Sequence, residues 1–295
     1  MLEVDGVTRT YGETKAVDEV SFTVPPGAMV GFVGGNGAGK TTTMRMIMGI
    51  LTPDQGVVRW SGEELTRAMR TRFGYMPEER GLYPKQPVLD QLTYLGRLHG
   101  MSQTEAKARV RELLDRFGLG ERTSDKVEML SLGNQQRAQI IAAVLGDPVA
   151  LILDEPFSGL DPAAVDQMSA LLREYTAAGV PVLFSSHQLD LVDRLCDSIV
   201  VLHQGKVVAS GTSDELRDTG QVRYRLNVGD DAGWLRDVVG VRVVDVDGAE
   251  ALIELESSSD RAAQDVLREA LSHGPVREFS RVVPSLSEVY RQVAA

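Results

Sequence analysis

Short apolar runs alternate with turn residues at the start of the chain. The spacing predicts strands at Leu2 to Arg9 and Ser21 to Val24, and Pro25-Pro26-Gly27 then turns the chain into a third run, Met29 to Val33. Because the third run contains no polar residue, it is typical of a central strand covered on both faces. A glycine-rich loop follows it directly, and the apolar periodicity from Thr41 to about Met48 predicts a helix.

A predicted helical segment interrupts the strands from about Val88 to Leu145. Within it, Ser102 and Glu105 have the spacing of a capping box ahead of an amphipathic helix, Ala106 to Phe117. Strands and helices then alternate again, which favours an α/β fold with a mainly parallel sheet. The predicted strands of this part are 150–153, 180–185, 198–202 and 206–209, and its first helix is about 163–178.

The pattern changes after Asp218. Strands are predicted near 222–228, 241–246, 251–255 and 276–279, with a short helix near Trp234 and a longer one from Arg261 to Leu271. The order β-α-β-β-α-β favours a small α+β domain of ferredoxin-like topology. We therefore expect one domain at 1–218, with a helical subdomain at about 88–145, and an accessory domain at 219–295.

Composition narrows the functional classes. The formal net charge of −11 argues against a broad basic surface for nucleic acid. The single cysteine, Cys196, permits no intrachain disulfide. The first residues lack a signal-peptide pattern and no apolar run approaches a membrane span, so we expect a cytosolic chain whose membrane role, if any, comes through a partner.

The glycine-rich loop has the composition of a phosphate-binding loop. It reads Gly34-Gly35-Asn36-Gly37-Ala38-Gly39-Lys40-Thr41 and continues with Thr42. The fixed positions fit G-x-x-x-x-G-K-[ST], in which backbone N–H groups and a helix N-terminus surround phosphate oxygens. Lys40 is expected to reach the β- and γ-phosphates, and Thr41 to give its hydroxyl to Mg²⁺. The loop therefore predicts a nucleoside triphosphate site.

A second group of residues ends a predicted buried strand. Leu151-Ile152-Leu153 is followed by Asp154 and Glu155, whose side chains point to opposite sides of the strand and so serve different purposes. Asp154 is placed to hold the metal through water. Glu155 is placed to orient or deprotonate an attacking water.

The segment Leu130-Ser131-Leu132-Gly133-Asn134-Gln135-Gln136-Arg137 completes the set of motifs. With it, residues from about Leu2 to Leu216 resemble an ATP-binding subunit of an ABC transporter, and the segment is similar to that family's LSGGQ signature. The resemblance implies a P-loop NTPase core with an antiparallel β subdomain and a helical subdomain. It also implies that Ser131 and Gly133 contact the γ-phosphate of ATP.

Other site residues follow from the same resemblance. Tyr11 stands where the family has an aromatic that stacks on adenine, and His187 where it has a histidine that contacts the γ-phosphate and positions water. Asp161 stands where the family communicates with the other subunit. Glu78 replaces the usual glutamine that touches Mg²⁺ and senses the membrane partner, and a carboxylate can still ligate that ion.

The resemblance implies ATP and Mg²⁺ as cofactors, ATP hydrolysis as the reaction, and two such subunits that share each ATP. Membrane permease subunits would be the further partners, which would hold the chain at the inner face of the cell membrane, and no nucleic acid is expected. The string from Pro77 to Pro84, the glycine-poor signature and the C-terminal extension look like bacterial efflux-type subunits of the sodium-export and drug-resistance kind.

Several alternatives stay open from the sequence. The two subunits could be identical or different, and the extension could be a stabilising appendage or a ligand-sensing domain. A soluble ATPase of the same superfamily acting on ribosomes or DNA, or an ATP-sensing regulator, would carry the same motifs. The substrate is not encoded in this chain, because the membrane subunit would form the path.

Overall fold

The computed structural model describes residues 1–79, 81–217, 222–255, 260–282 and 285–293. These residues form two compact units, Met1–Ser213 and Asp214–Val293. The domain boundary expected at Asp218 lies outside the described residues and stays a prediction.

Within the residues that the structure describes, the first unit contains ten strands and most of the helices. Its strands are β1 (Leu2–Tyr11), β2 (Thr14–Val24), β3 (Met29–Val33), β4 (Gln55–Trp60), β5 (Glu63–Glu64), β6 (Phe73–Met76), β7 (Ala150–Leu153), β8 (Val182–Ser186), β9 (Ser198–His203) and β10 (Lys206–Gly211). Its helices are α1 (Lys40–Ile47), α2 (Arg67–Arg70), α3 (Val88–Leu98), α4 (Gln103–Arg116), α5 (Leu132–Val144), α6 (Pro162–Ala177) and α7 (Leu189–Leu195), and α8 (Ser213–Arg217) follows at the unit boundary.

A six-stranded sheet in the order β10-β9-β3-β8-β7-β6 forms the centre of this unit. All its pairings are parallel except that of β9 with β10. Every residue of β3, β7 and β8 is buried, as expected for parallel strands with helices on both faces. The arrangement confirms the predicted α/β fold.

A second sheet, β2-β1-β4-β5, is antiparallel and corrects one sequence prediction. The strand expected at Ser21 to Val24 is β2, which already begins at Thr14. Glu19 has a left-handed φ of +52°, and the pairing with β1 shifts register along the way. Since such irregularities break the two-residue alternation, Val17 and Val20 are both buried and the periodicity hides the first half of the strand.

The predicted helical segment consists of α3, α4 and α5. Ser102 caps α4 through the expected capping box with Glu105. The apolar positions Val110, Leu113 and Leu114 are buried, as the periodicity predicted. In the described residues, no helix is both long and apolar enough to cross a membrane.

The second unit is a four-stranded antiparallel sheet with helices. It contains β11 (Val222–Val228), a 3₁₀ turn (Gly233–Asp237), β12 (Val241–Asp247), β13 (Glu250–Leu255), α9 (Asp260–His273), β14 (Val276–Val282) and α10 (Leu286–Val293). The strand order β12-β13-β11-β14 is that of a ferredoxin-like sheet. Two details differ from expectation: the helix near Trp234 is a short 3₁₀ helix, and α10 is a further helix, in which Leu286, Val289 and Val293 have 3- and 4-residue apolar spacing.

Gly74 in β6 tests how closely α5 packs on the sheet. A methyl group at Gly74 would meet the carbonyl oxygen of Ala143 and the Leu151 side chain. We expect Gly74→Ala to lower the free energy of unfolding by about 1–3 kcal/mol through overpacking, measured by urea denaturation. Gly81→Ala is the matched control, since a methyl there would lie 3.4 Å from the nearest atom, Pro77 Cγ. Equal stability of both variants would contradict the close approach.

Candidate nucleotide site

The phosphate loop joins the buried strand β3 to helix α1. Gly39 caps the helix with a φ of +104°, and a Cβ atom at this position would lie only 2.6 Å from the carbonyl oxygen of Ala16. Only glycine therefore allows the loop to reach the helix at this point. The helix N-terminus leaves backbone N–H groups free to receive an anion.

Lys40 is held under the loop. Its side chain is largely covered, at 8% exposure, and Nζ donates hydrogen bonds to the carbonyl oxygens of Gly34 at 2.7 Å and Gly35 at 3.3 Å. An ammonium group has three N–H donors, so one remains for another acceptor. The Lys40 ammonium is thus held in place by two neutral carbonyl groups, and its positive charge remains available to a bound anion.

Asp154 lies buried at the carboxyl end of β7, at 1% exposure. Its Oδ1 accepts a hydrogen bond from the Ser185 hydroxyl, whereas its buried Oδ2 accepts none within the described part of the chain. Burial raises the pKa of the Asp154 carboxyl, and the Ser185 hydrogen bond opposes this shift. A buried carboxylate oxygen without a partner fits a cation or an ordered water next to it.

Glu155 follows in a left-handed conformation, with φ +51°. Its backbone N–H donates to Ser185 Oγ at 2.8 Å, and Gln136 Nε2 donates to its carbonyl oxygen at 2.8 Å. Its carboxylate Oε2 lies 3.0 Å from Nδ1 of His187. Burial raises the pKa of Glu155, while the His187 hydrogen bond and charge lower it. A left-handed φ is unfavourable for a residue other than glycine. Such a conformation, held in place by three partners, is typical of a functional position.

Thr41 and Glu78 meet beside these carboxylates. The Thr41 hydroxyl donates to Glu78 Oε2 at 3.2 Å. Together with the orphaned oxygen of Asp154, these are oxygen ligands of the kind that Mg²⁺ prefers. No group of three or more His, Cys, Asp or Glu side chains within the described residues is arranged to hold a metal alone. The donor set therefore fits a Mg²⁺ ion that also takes ligands from a bound phosphate.

One pocket of about 330 Å³ contains most of the predicted site. Its lining comprises Ala16, the loop from Gly35 to Thr42, and the carboxylates Glu78, Asp154 and Glu155. The lining thus combines loop amides and a lysine with three carboxylates. That arrangement can bind a polyphosphate, share a metal with it and place a base near its end.

Tyr11 and His187 lie outside the lining of this pocket. Tyr11 is exposed at the end of β1, with the Arg9 guanidinium 5.2 Å from its ring centroid. His187 is also exposed but contacts Glu155. The structure thus links His187 to the pocket through one carboxylate and leaves the Tyr11 ring open to solvent.

Ser131, Gly133 and Asp161 are likewise absent from the pocket lining. Ser131 caps α5 by accepting a hydrogen bond from the Asn134 N–H at 3.3 Å, and Asp161 caps α6 through Ala164 at 2.8 Å. Leu132, between Ser131 and Gly133, is 59% exposed. The N-terminus of α5 is therefore open to solvent and available to another molecule.

Sequence reasoning missed Ser185 and Gln136. Ser185 bridges the Asp154 carboxylate and the Glu155 backbone, and Gln136 holds the Glu155 carbonyl. The parallel pairing of Leu153 with Phe184 sets Ser185 beside Asp154. Local sequence patterns could not reveal this contact, because they do not show which strands are neighbours in the sheet.

Comparisons with known proteins agree with this geometry. The ABC transporter family profile matches residues 17–158, and the profile for the C-terminal domain of DrrA1-3-like ATP-binding proteins matches residues 211–294. The chain is 40% identical over 98% of its length to the ABC transporter ATP-binding protein YhaQ of Bacillus subtilis (strain 168), covering 97% of that protein. It is 34% identical to the daunorubicin/doxorubicin resistance ATP-binding protein DrrA of Streptomyces peucetius, covering 98% of this chain and 91% of the relative.

A solved structure shares the fold of the first unit. The dimeric structure of the ABC transporter cassette MJ0796 is 26% identical, with a TM-score of 0.66 over 72% of this chain and 98% of that one. The phosphate loop, the paired carboxylates and full-length relatives point to the same family. The chain belongs to the ATP-binding subunits of ABC transporters and is an ATPase.

Proposed function

We propose that the pocket at Gly35 to Thr42 binds ATP with Mg²⁺ and hydrolyses its terminal phosphate to power export through membrane subunits. The observation that carries this proposal is the convergence of Lys40, Asp154 and Glu155 on one pocket. Lys40 would neutralise negative charge on the phosphates. Of the two carboxylates, Asp154 would bind the metal and Glu155 would activate the water. Loop amides from Gly34 to Thr41 hold the phosphates.

Thr41, Glu78 and Asp154 would hold the Mg²⁺ ion. Such an ion would neutralise negative charge on the bound phosphates. In this chain the Asp154 carboxylate is fixed by Ser185 so that its other oxygen stays free. The Thr41 hydroxyl and the Glu78 carboxylate are already in contact, so one ion could bind to both.

Glu155 is proposed as the general base. Its carboxylate is 12% exposed and lies in the pocket lining, and the raised pKa makes it a better proton acceptor than an ordinary glutamate. His187 holds Oε2 from the solvent side. The histidine thereby orients the carboxylate toward the pocket and is placed to approach a terminal phosphate.

Glu155→Gln tests the base. We expect ATP binding to be retained and turnover to fall about 10²- to 10⁴-fold, because the amide cannot accept the proton. Binding is measured by titration with a fluorescent nucleotide and turnover by phosphate release. Glu121→Gln, at an exposed glutamate outside the pocket lining, is the matched control. Near-normal turnover of Glu155→Gln would rule out this assignment.

The pH profile tests the contact with His187. Turnover requires the carboxylate of Glu155, so activity is lost as pH falls through the pKa of that group. Because His187 lowers this pKa, His187→Ala should move the acidic limb of the kcat profile to higher pH, beyond any loss of kcat itself. His99→Ala serves as the control. An unchanged limb would show that His187 does not act on Glu155.

A second ATP-binding subunit is proposed to complete the site. Ser131 and Gly133 stand at the open N-terminus of α5 and not in the pocket of their own chain. Such an N-terminus favours a phosphate, and the dimeric solved cassette supports a paired arrangement. We propose that each ATP lies between one chain's phosphate loop and the other chain's Ser131-Gly133 segment, with Asp161 at the contact and Tyr11 against adenine.

Complementation tests whether the pair consists of identical copies. Lys40→Ala removes the ammonium group that would bind the phosphates and Ser131→Arg blocks the α5 N-terminus, so each variant alone should be inactive. A mixture should recover part of the ATPase activity, because a mixed dimer contains one site with both halves intact. A mixture of two samples of Lys40→Ala is the control. Failure of the mixture, with both variants folded, would contradict a shared site between identical chains.

Membrane permease subunits are the proposed partners, and the chain would be peripheral on the cytoplasmic face through them. The similarity to DrrA over nearly the whole chain favours an exporter. Glu78, on the loop ahead of α3, is the proposed link between the site and the partner. Co-purification in detergent with a multi-span membrane protein, followed by ATP-dependent transport by the pair, is the experiment that tests this role.

A further inference from the structure

A groove of about 790 Å³ opens in the second unit between the 3₁₀ turn and helix α9. Trp234 and Asp237 line it from the turn, Val266 and Glu269 from α9, and Leu255 from the end of β13. The volume lies in the range of pockets for small organic molecules, about 300–1,000 Å³. Among the described residues, it shares none with the nucleotide pocket.

The groove exists because the first crossover of the ferredoxin-like unit is short. The connection between β11 and β12 contains a five-residue 3₁₀ turn, whereas α9 has fourteen residues. At about 2.0 Å per residue the turn spans roughly 10 Å, and at about 1.5 Å per residue α9 spans roughly 21 Å. The turn therefore leaves part of the flank of α9 uncovered, and the floor beside it is formed by Leu255 and Val266, each buried to 5% exposure.

An aromatic stack fixes one wall. The rings of Trp234 and His273 are nearly parallel, with centroids 4.1 Å apart and an interplanar angle of 8°. His273 also lies 3.4 Å from Glu269. These contacts hold the indole at the groove, and an indole is the most favourable aromatic surface for a cation.

The charged lining of the groove is acidic. Within the described part of the chain its titratable residues are Asp237, Asp265, Glu269 and His273, the last in contact with Glu269, and it includes no lysine or arginine. Arg268, outside the lining, forms an ion pair with Asp265 at 2.6 Å, whereas Asp237 has no salt-bridge partner among the described residues. An apolar floor below an acidic rim disfavours an anion, and the described carboxylates do not converge as a bare metal ion requires.

We propose that this groove binds an organic monocation whose apolar body packs on Leu255, Val266 and Trp234 while its charge faces Asp237 and Glu269. The volume of the groove limits the size of the ligand. The apolar floor favours an apolar body, and the carboxylates favour a positive charge on the ligand. This site would give the ATPase subunit a second ligand, chemically unlike ATP.

Tetraphenylphosphonium and tetraphenylborate test the proposal, because the two ions have nearly the same shape and opposite charge. Isothermal titration of the full chain without nucleotide should show saturable one-to-one binding of the phosphonium. The borate should not compete for that site. Equal competition by the borate would show that the groove selects shape and not charge, and would overturn the assignment, as would no phosphonium binding at millimolar concentration.

Substitutions locate the binding. Trp234→Ala should weaken phosphonium binding roughly 5- to 30-fold, and Asp237→Asn and Glu269→Gln should each weaken it about 2- to 5-fold. Asp230→Asn removes the same charge in the same unit outside the lining and should leave the affinity unchanged. If circular dichroism shows that Trp234→Ala is unfolded, the test depends on Asp237→Asn and Glu269→Gln. Unchanged affinity in both would place the binding elsewhere and refute the groove.

Discussion

The alignment of three parallel strands at one sheet edge is the constraint on which the nucleotide pocket depends. β3 pairs with β8, and β8 pairs with β7, so the carboxyl ends of all three lie together. The phosphate loop leaves β3, Asp154 and Glu155 leave β7, and His187 follows β8. Residues far apart in the chain therefore meet because parallel pairing fixes which ends coincide.

The Ser185 hydroxyl links the two carboxylate residues at this edge of the sheet. One hydroxyl donates to the buried Asp154 carboxylate and accepts from the Glu155 amide. The first contact keeps one oxygen of Asp154 occupied and the other free. The second holds the Glu155 backbone in its left-handed conformation, and both neighbouring carboxylates line the nucleotide pocket.

The two units differ in how they expose binding surface. In the first, a helix N-terminus and a buried lysine create a polar pocket suited to phosphate. In the second, a shortened crossover leaves an apolar groove with acidic edges. The two pockets share no lining residue within the described part of the chain, which allows nucleotide and a second ligand to bind without direct competition.

The sequence by itself determined the α/β alternation, the phosphate loop, the carboxylate pair and the capping box of α4, because each depends on residues adjacent or nearly adjacent in the chain. It did not reveal the first half of β2, where a left-handed Glu19 interrupts the periodicity, nor the 3₁₀ turn that replaces a helix near Trp234. Only the tertiary structure decided that Ser185 joins Asp154 to Glu155 and that Trp234 stacks on His273. Those contacts depend on strand register and on packing between distant segments, and local sequence patterns carry no information on either.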